Sequence, residues 1–498
     1  MATKGRHSQH SRRGRRGRGG GRASYVEAPR EFTGTSNQVC GLWPWSTGST
    51  SPTIGVPCGP HINGETTVCF DCISWFTDAR LLSNPSVFVL GLPGLGKSTF
   101  VRRQLLGLVG CGVTPLVLGD LKPDYADLVR AIGGQVVTYG RGAGSLNMLS
   151  AGALDAAADT ADAGATQAAT QARKSQLTMA ATRLRHEAHD RRVNAVAAQF
   201  ALIRGERLED YEQVVLSAAL RELAKVWRRR KTEPVMKDLH AMIEAGPDEV
   251  RRVTGWRGEE NRYRAATDKL QATFLAWMES PLGEVFGSQT TTPLRLDAVA
   301  VCIDVSRISR TDIVLQAAAL LACWGEGFGQ VNAANELADL GLAPQRRFFV
   351  ILDELWRPLS AGVPGIVDAM NALTRLNRTD GCGVAMVTHS LADMRAIRDP
   401  ADQAKAAGFV ERAGAVVCGG LPLKEVAELA LIVPFTDAER DLITGWATPA
   451  GWDPAESPPG QGNLLIKVGQ RPGIPFHLQL TQAELDANVH DTNKRWAA

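Results

Sequence analysis

The sequence predicts an α/β fold: a largely parallel sheet covered by helices and interrupted by a helical insertion. Three observations carry this. From about residue 86, short β-rich runs alternate with helix-patterned stretches, the rhythm of βα units feeding a parallel sheet. From about 151 to 290 the strand signals vanish and apolar residues recur at helical spacing. Beyond 290 the short β-rich runs return.

The chain has 498 residues, enough for two or three domains with their own cores. Apolar residues make up 44% and charged residues 21%, as in ordinary globular proteins. The net charge is +3, but residues 1–24 carry eight basic side chains (Lys4, Arg6, Arg12, Arg13, Arg15, Arg16, Arg18, Arg22) and no acid, so the remainder sums to −5. That balance excludes a broad basic nucleic-acid surface on the body of the protein. No apolar run approaches the roughly 18 residues of a membrane span. The N-terminus has Arg and Gly where an export signal needs an apolar core. Nine cysteines, an odd number beside an intracellular-type nucleotide motif, imply reduced thiols.

In chain order, residues 1–30 form an Arg/Gly/Ser-rich arm that cannot bury enough apolar surface to fold alone. Its charge suits RNA, DNA or anionic lipid, or simply solubilises the chain. Residues 31–85 form a small segment. Within it "GPHINGETTVCFDCISWF" reads as a β-hairpin turning at Asn63-Gly64, then a short helix. Cys58, His61, Cys69 and Cys72 have a spacing that could hold zinc; packing of small buried thiols is the alternative reading.

Residues 86–150 open the core. "VFVL" is a strand and "STFVRRQLLGLV" a helix. "TPLVLGD" is a strand ending at Asp120, "DYADLVRAIG" a helix and "GQVVTYG" a strand. The insertion, 151–290, starts with the Ala-rich "AGALDAAADTADAGATQAATQARKSQ". Residues 291–498 complete the core with "AVAVCIDVS", "RFFVILDEL", "CGVAMVTHS" and "GAVVCG". They end with two strands around a Gly/Pro turn in "NLLIKVGQRPGIPFHLQL" and a helix capped by Thr481.

Three motifs carry chemistry. Gly91-Leu92-Pro93-Gly94-Leu95-Gly96-Lys97-Ser98 fits G-x-x-x-x-G-K-[ST] between a strand and a helix. Gly91, Gly94 and Gly96 let backbone N–H groups converge on phosphate oxygens, and Thr99 continues the cradle into the helix. Lys97 is expected to reach the β/γ-phosphates of ATP, and Ser98 to ligate Mg²⁺. "RFFVILDELW" ends an apolar strand in Asp353, a Mg²⁺ ligand, and Glu354, which polarises the attacking water. "GVAMVTHSLADM" ends a third strand in Thr388-His389-Ser390, placed to sit between the other two and sense the γ-phosphate; a helix cap is the alternative.

The order of these pieces resembles the HerA/FtsK superfamily of hexameric motors, and most closely the TraC-type ATPases of conjugation and type IV secretion. Asp120, Tyr125, Gly133-Gly134 and Asn147 hold the places of that family's segment after the phosphate loop. "LDELWRPL" is similar to its Asp-Glu-Ala-Trp element, and "LTRLNRTDGCGVAMVTHSLADM" to its Arg-rich helix and Thr-Gln-Ser strand end. The similarity runs from about residue 85 to the C-terminus.

The resemblance implies a RecA-like P-loop NTPase sheet and a homo-oligomer, a hexamer, in which a neighbour's arginine completes each site. Arg375 and Arg378 are the candidates on the matching helix, and Arg471 in the terminal Gly/Pro turn is a looser one. It further implies membrane-embedded secretion or conjugation partners, with the chain cytoplasmic and peripheral to the inner face of the membrane. The basic arm offers a contact with DNA. There are two departures. His389 stands where the family has Gln; a neutral imidazole also donates and accepts one hydrogen bond. Only about 85 residues precede the phosphate loop, where the family carries a longer docking domain.

The leading expectation is therefore an ATP-hydrolysing motor of a conjugative or type IV secretion-like system. A DNA-translocating motor and a nucleotide-gated structural subunit with little hydrolysis are the alternatives. The phosphate loop reads no base, so ATP and GTP are not distinguished.

Overall fold

The computed structural model describes residues 52–64, 66–150, 152–227, 233–309, 311–355, 357, 367, 381–389, 391, 400–450, 457–488 and 490. The basic arm, Arg375 and Arg378 lie outside the described residues.

Eleven strands are described: β1 (Pro57–Pro60), β2 (Thr67–Cys69), β3 (Ser86–Leu90), β4 (Val113–Asp120), β5 (Gln135–Thr138), β6 (Val301–Asp304), β7 (Arg347–Leu352), β8 (Cys382–Val387), β9 (Ala415–Cys418), β10 (Asn463–Lys467) and β11 (Ile474–His477). Nine form one sheet in the order β11-β10-β9-β3-β8-β7-β4-β6-β5. The run from β9 to β5 is parallel, and β10 and β11 add antiparallel at one edge.

The central strands read as unbroken apolar runs because both faces are covered. Their side chains alternate between two cores. Phe88, Leu90, Leu116, Leu118, Phe348, Val350, Val384 and Met386 face one. Val87, Val89, Val117, Phe349, Ile351, Ala385 and Val387 face the other.

The second core is roofed by helix α1 (Cys72–Thr77), helix α2 (Lys97–Gly110), helix α3 (Ala126–Ala131) and the β1–β2 hairpin. The hairpin differs in detail from expectation. Asn63-Gly64 is not a two-residue turn between strands; the connection runs from 61 to 66. His61 reorganises it. Its carbonyl accepts from Gly64 N–H at 3.2 Å and its ring Nδ1 from Asn63 N–H at 3.1 Å, while its backbone bridges to Phe476.

The insertion consists of seven helices among the described residues: α4 (Gly152–Thr166), α5 (Gln171–Arg204), α6 (Asp210–Trp227), α7 (Met236–Ala245), α8 (Asp248–Val253), α9 (Glu260–Glu279) and α10 (Pro281–Phe286). The Ala-rich stretch is ordered helix. Ala157, Ala158, Ala161 and Ala165 let α4 lie close against Leu177, Ala181, Leu184 and Ala188 of α5. Thr170 caps α5 by accepting from Arg173 N–H, and Gly205 ends it at φ 74°.

Helix α11 (Ile313–Asp339) was not expected from the sequence. Most of its first twenty residues are buried, so no polar face marks its period, and "WGEGFG" reads as a loop. Its Trp324 indole donates to Leu118 O at 2.8 Å. A Cβ at Gly327 would lie 2.4 Å from the Leu118 side chain, so glycine lets this helix seat on β4. Four further helices are described: α12 (Pro400–Glu411), α13 (Leu423–Leu429), α14 (Asp437–Gly445) and α15 (Gln482–Asp486). Thr481 and Glu484 make the expected cap of α15 a reciprocal one. Among the described residues no helix is long and apolar enough to cross a membrane.

Candidate functional site

Four adjacent parallel strands, β3, β8, β7 and β4, end on one edge of the sheet. They deliver Gly91, Thr388-His389, Asp353-Glu354 and Asp120 to that edge. The third strand end stands between the other two, as its sequence suggested.

The loop 91–98 is built by glycine where glycine is needed. Gly94 and Gly96 hold φ 80° and 104°. A Cβ at Gly91 would sit 3.1 Å from Gly419 Cα, so the loop passes backbone to backbone beside the end of β9. Leu92 N–H donates to Gly420 O at 2.9 Å, and Gly462 N–H holds Leu95 O at 3.1 Å. Gly96 begins α2 with no side-chain cap, which leaves the first turn's N–H groups to a ligand. Ser98 and Thr99 are half-buried on that turn.

Lys97 is buried, and its ammonium donates to Gly91 O at 2.5 Å and Leu92 O at 3.0 Å. Burial pushes its pKa down to about 8; Asp353 and Glu354 pull it back up, and Lys122 pushes it further down.

Asp353 accepts from Glu354 N–H at 2.8 Å and from the Tyr125 hydroxyl at 3.0 Å. Burial, then the adjacent Glu354, raises its pKa above the usual carboxylate value. Glu354 sits in the left-handed region at φ 54° and is 5% exposed. Its Oε1 takes an ion pair from Lys122 and a 3.3 Å contact from His389 Nε2, and Arg357 Nε lies 3.6 Å from Oε2. Burial alone would raise its pKa, but the His389 hydrogen bond and the Lys122 ammonium outweigh that and hold it far below the usual range. Thr388 Oγ1 and His389 Nδ1 are buried with no hydrogen-bond partner. Orphaned polar atoms beside a glycine cradle fit a polar anionic guest with a bound cation.

Asp120 shapes the next loop. Its carboxylate accepts N–H bonds from Asp124 at 3.0 Å, Tyr125 at 2.8 Å and Ala126 at 3.2 Å. Burial still pushes its pKa up to about 7, although those bonds pull it down. The fully buried Arg102 donates to Ser98 O at 3.1 Å and Asp124 O at 3.0 Å, tying this loop to the start of α2.

The structure thus brings together Gly91, Gly94, Gly96, Lys97, Ser98, Thr99, Asp353, Glu354 and His389. Arg375 and Arg378 lie outside the described residues. Arg471 is exposed in the β10–β11 turn. Because β10 runs antiparallel to β9, that turn is at the opposite end of the sheet from the loop of its own chain. Lys122 and Arg357 were missed by sequence reasoning. The signal for Lys122 was present in "DLKPDY" directly after the strand end at Asp120.

Cys58, His61, Cys69 and Cys72 form no metal cluster; among the described residues no three His, Cys, Asp or Glu side chains group to hold a metal ion. Cys58 is wholly buried, accepts from Gln104 Nε2 at 3.3 Å, and has its thiol pKa pushed up to about 12 by burial.

No protein-family model and no curated protein matches the sequence. The fold does match solved structures. VirB4 of Thermoanaerobacter pseudethanolicus superposes with a TM-score of 0.62 at 15% identity, over 88% of this chain and 100% of that one. The bacterial conjugative coupling protein TrwB, in a trigonal form with sulphate, gives 0.46 at 13% identity over 81% of this chain and 86% of that one. The plasmid coupling protein TrwB with ADP and Mg²⁺ gives 0.44 at 14% identity over 82% and 87%. The VirB4 match establishes the fold, the α/β sheet expected from the sequence.

Proposed function

We propose that this chain, which shares its fold with VirB4, is a Mg²⁺-dependent P-loop ATPase that powers a conjugative or type IV secretion-like apparatus. It works as a homo-oligomeric ring, a hexamer, docked on membrane-embedded components at the inner face of the membrane. In this reading residues 86–150 and 291–498 form one ATPase core, 151–290 an inserted helical subdomain, 31–85 a small N-terminal segment and 1–30 a basic arm. The observation that carries it is the meeting of Lys97, Asp353, Glu354 and His389, drawn from three strand ends, on one sheet edge.

Lys97 exchanges its loop carbonyls for the β/γ-phosphates, and the N–H groups of the glycine cradle and of Thr99 hold the remaining oxygens. Ser98 and Asp353 are the residues that hold Mg²⁺, which supplies charge neutralisation on the transferring phosphoryl group. Glu354 orients the attacking water, and His389, in contact with Glu354, aligns it. Arg375 or Arg378 of the adjacent subunit offsets transition-state charge.

Steady-state hydrolysis of Mg²⁺-ATP by the purified chain, with mass measured alongside, tests the reading. Lys97→Ala should abolish nucleotide binding, while Glu354→Gln should keep binding and lose turnover by roughly 100-fold or more. Turnover indifferent to Glu354→Gln would leave a nucleotide-gated structural subunit. DNA-stimulated turnover with steep salt dependence would favour a DNA translocator that uses the basic arm.

A further inference from the structure

Glu354 has an ammonium partner, Lys122, that the proposed hydrolysis does not explain. Lys122 forms an ion pair with its Oε1, His389 lies 3.3 Å from the same oxygen, and Lys122 Nζ lies 3.5 Å from His389 Nε2. The two partners differ in access. The Glu354 side chain is 6% exposed, while that of Lys122 is 43% exposed. Lys122 therefore reaches in from the rim on a flexible four-carbon stem to a carboxylate that cannot move out.

The base of that stem is fixed. Asp120 gathers the N–H groups of Asp124, Tyr125 and Ala126, and Arg102 holds Asp124 O. The loop thus presents a mobile point charge from an anchored platform. That charge also bears on Lys97, whose ammonium it repels. Lys122 consequently lies within electrostatic range of both the water-activating carboxylate and the phosphate-binding lysine.

A carboxylate locked to an ammonium is a poor partner for a water proton, because its lone pairs and charge are already engaged. Leaving it costs the ammonium an ion pair whose carboxylate is buried, and only a stronger anion nearby repays that cost. A terminal phosphoryl group beside Lys97 is such an anion; a diphosphate lacks it.

We propose that Lys122 is the gating cation of this site: it holds Glu354 in an ion pair and is drawn off by the terminal phosphoryl group of a triphosphate, which frees Glu354 to orient water. This rests on the nucleotide-binding reading above. Lys122 acts on the chemistry through Glu354 and is a positioning residue. The gate makes the water-activating group responsive to the third phosphate, so a diphosphate leaves it closed.

The test is equilibrium binding of ADP and of the non-hydrolysable triphosphate AMPPNP, with Mg²⁺, to the full chain and to Lys97→Ala, Lys122→Met, Glu354→Gln and the Lys122→Met/Glu354→Gln pair. Lys122→Gln serves in place of Lys122→Met if the latter fails to fold. Lys122→Met should weaken AMPPNP about tenfold and leave ADP within about threefold, because only the triphosphate receives the ammonium. Glu354→Gln should tighten AMPPNP by about fivefold, since the ion pair no longer has to be broken, and that gain should vanish when Lys122 is absent. Equal effects of Lys122→Met on both nucleotides, or a Glu354→Gln gain that persists without Lys122, overturn the gate. If the wild-type chain binds neither nucleotide, or Lys97→Ala binds as well as wild type, the function proposed above fails too. If Lys97→Ala alone loses binding, only the gate fails.

Discussion

The phenol of Tyr125 donates a hydrogen bond to Asp353 at 3.0 Å, joining two positions 228 residues apart in the sequence. Tyr125 is wholly buried, and burial pushes its own pKa well up, so it stays a donor. Its bond lowers the pKa of Asp353, which burial and Glu354 raise. Tyr125→Phe should therefore move the acid limb of Mg²⁺-dependent turnover to higher pH, because Asp353 is harder to ionise. It should also raise the Mg²⁺ concentration needed for half-maximal rate by roughly three- to tenfold. A pH series of Mg²⁺ titrations checks both, and an unchanged acid limb counts against a metal-holding Asp353.

Lys97 gives the opposite pH signature. In the proposed function its ammonium binds phosphate, and its pKa is pushed down to about 8 by burial. Nucleotide affinity should be full below that value and fall as pH rises through it. The drop should be about tenfold between about pH 7 and about pH 9. Fluorescence titration of ADP across that range measures the drop, and a flat profile means that another group holds the phosphates.

Asp120 is predicted to matter for stability rather than turnover alone. Asp120→Ala leaves three N–H donors without their acceptor, two of them buried (Tyr125 and Ala126) and one half-buried (Asp124). The cost should be roughly 2–4 kcal/mol, read from the urea midpoint. A loss under about 0.5 kcal/mol would mean that water readily replaces the carboxylate.

Gly59 tests the seat of the hairpin. It holds φ 146°, and a Cβ there would lie 2.0 Å from His477 O. Gly59→Ala must push β1 off β11 or distort one of them. It should destabilise the protein by roughly 2 kcal/mol or more, measured by thermal unfolding, while the distant insertion keeps its helical circular dichroism.

Much of this was legible in the sequence because the signals were local. The glycines of 91–96 need only their own backbone geometry, and "FFVIL" and "CGVAMV" are apolar throughout because both of their faces are covered. The place of Thr388-His389 between the other two strand ends was legible from its polar residues, not from chain order, which runs β3, β4, β7, β8 while the sheet runs β3-β8-β7-β4. What stayed hidden depends on partners far along the chain. Helix α11 shows no polar face because the sheet and the insertion enclose much of it. The turn at Asn63-Gly64 was displaced by the His61 ring and the bridge to Phe476. Lys122 became meaningful only once Glu354, 232 positions later in the sequence, stood opposite it.

The sheet order has a consequence for biosynthesis. Strand β3 is flanked by β8 and β9, and β4 by β6 and β7, all made after the helical insertion. While the ribosome is still threading residues 151–290, both early strands have emerged with their backbone edges unpaired, an invitation to cross-pairing between nascent chains. Stalled or truncated translation products ending before residue 301 should therefore be insoluble or chaperone-bound, even though they carry the whole of loop 91–98.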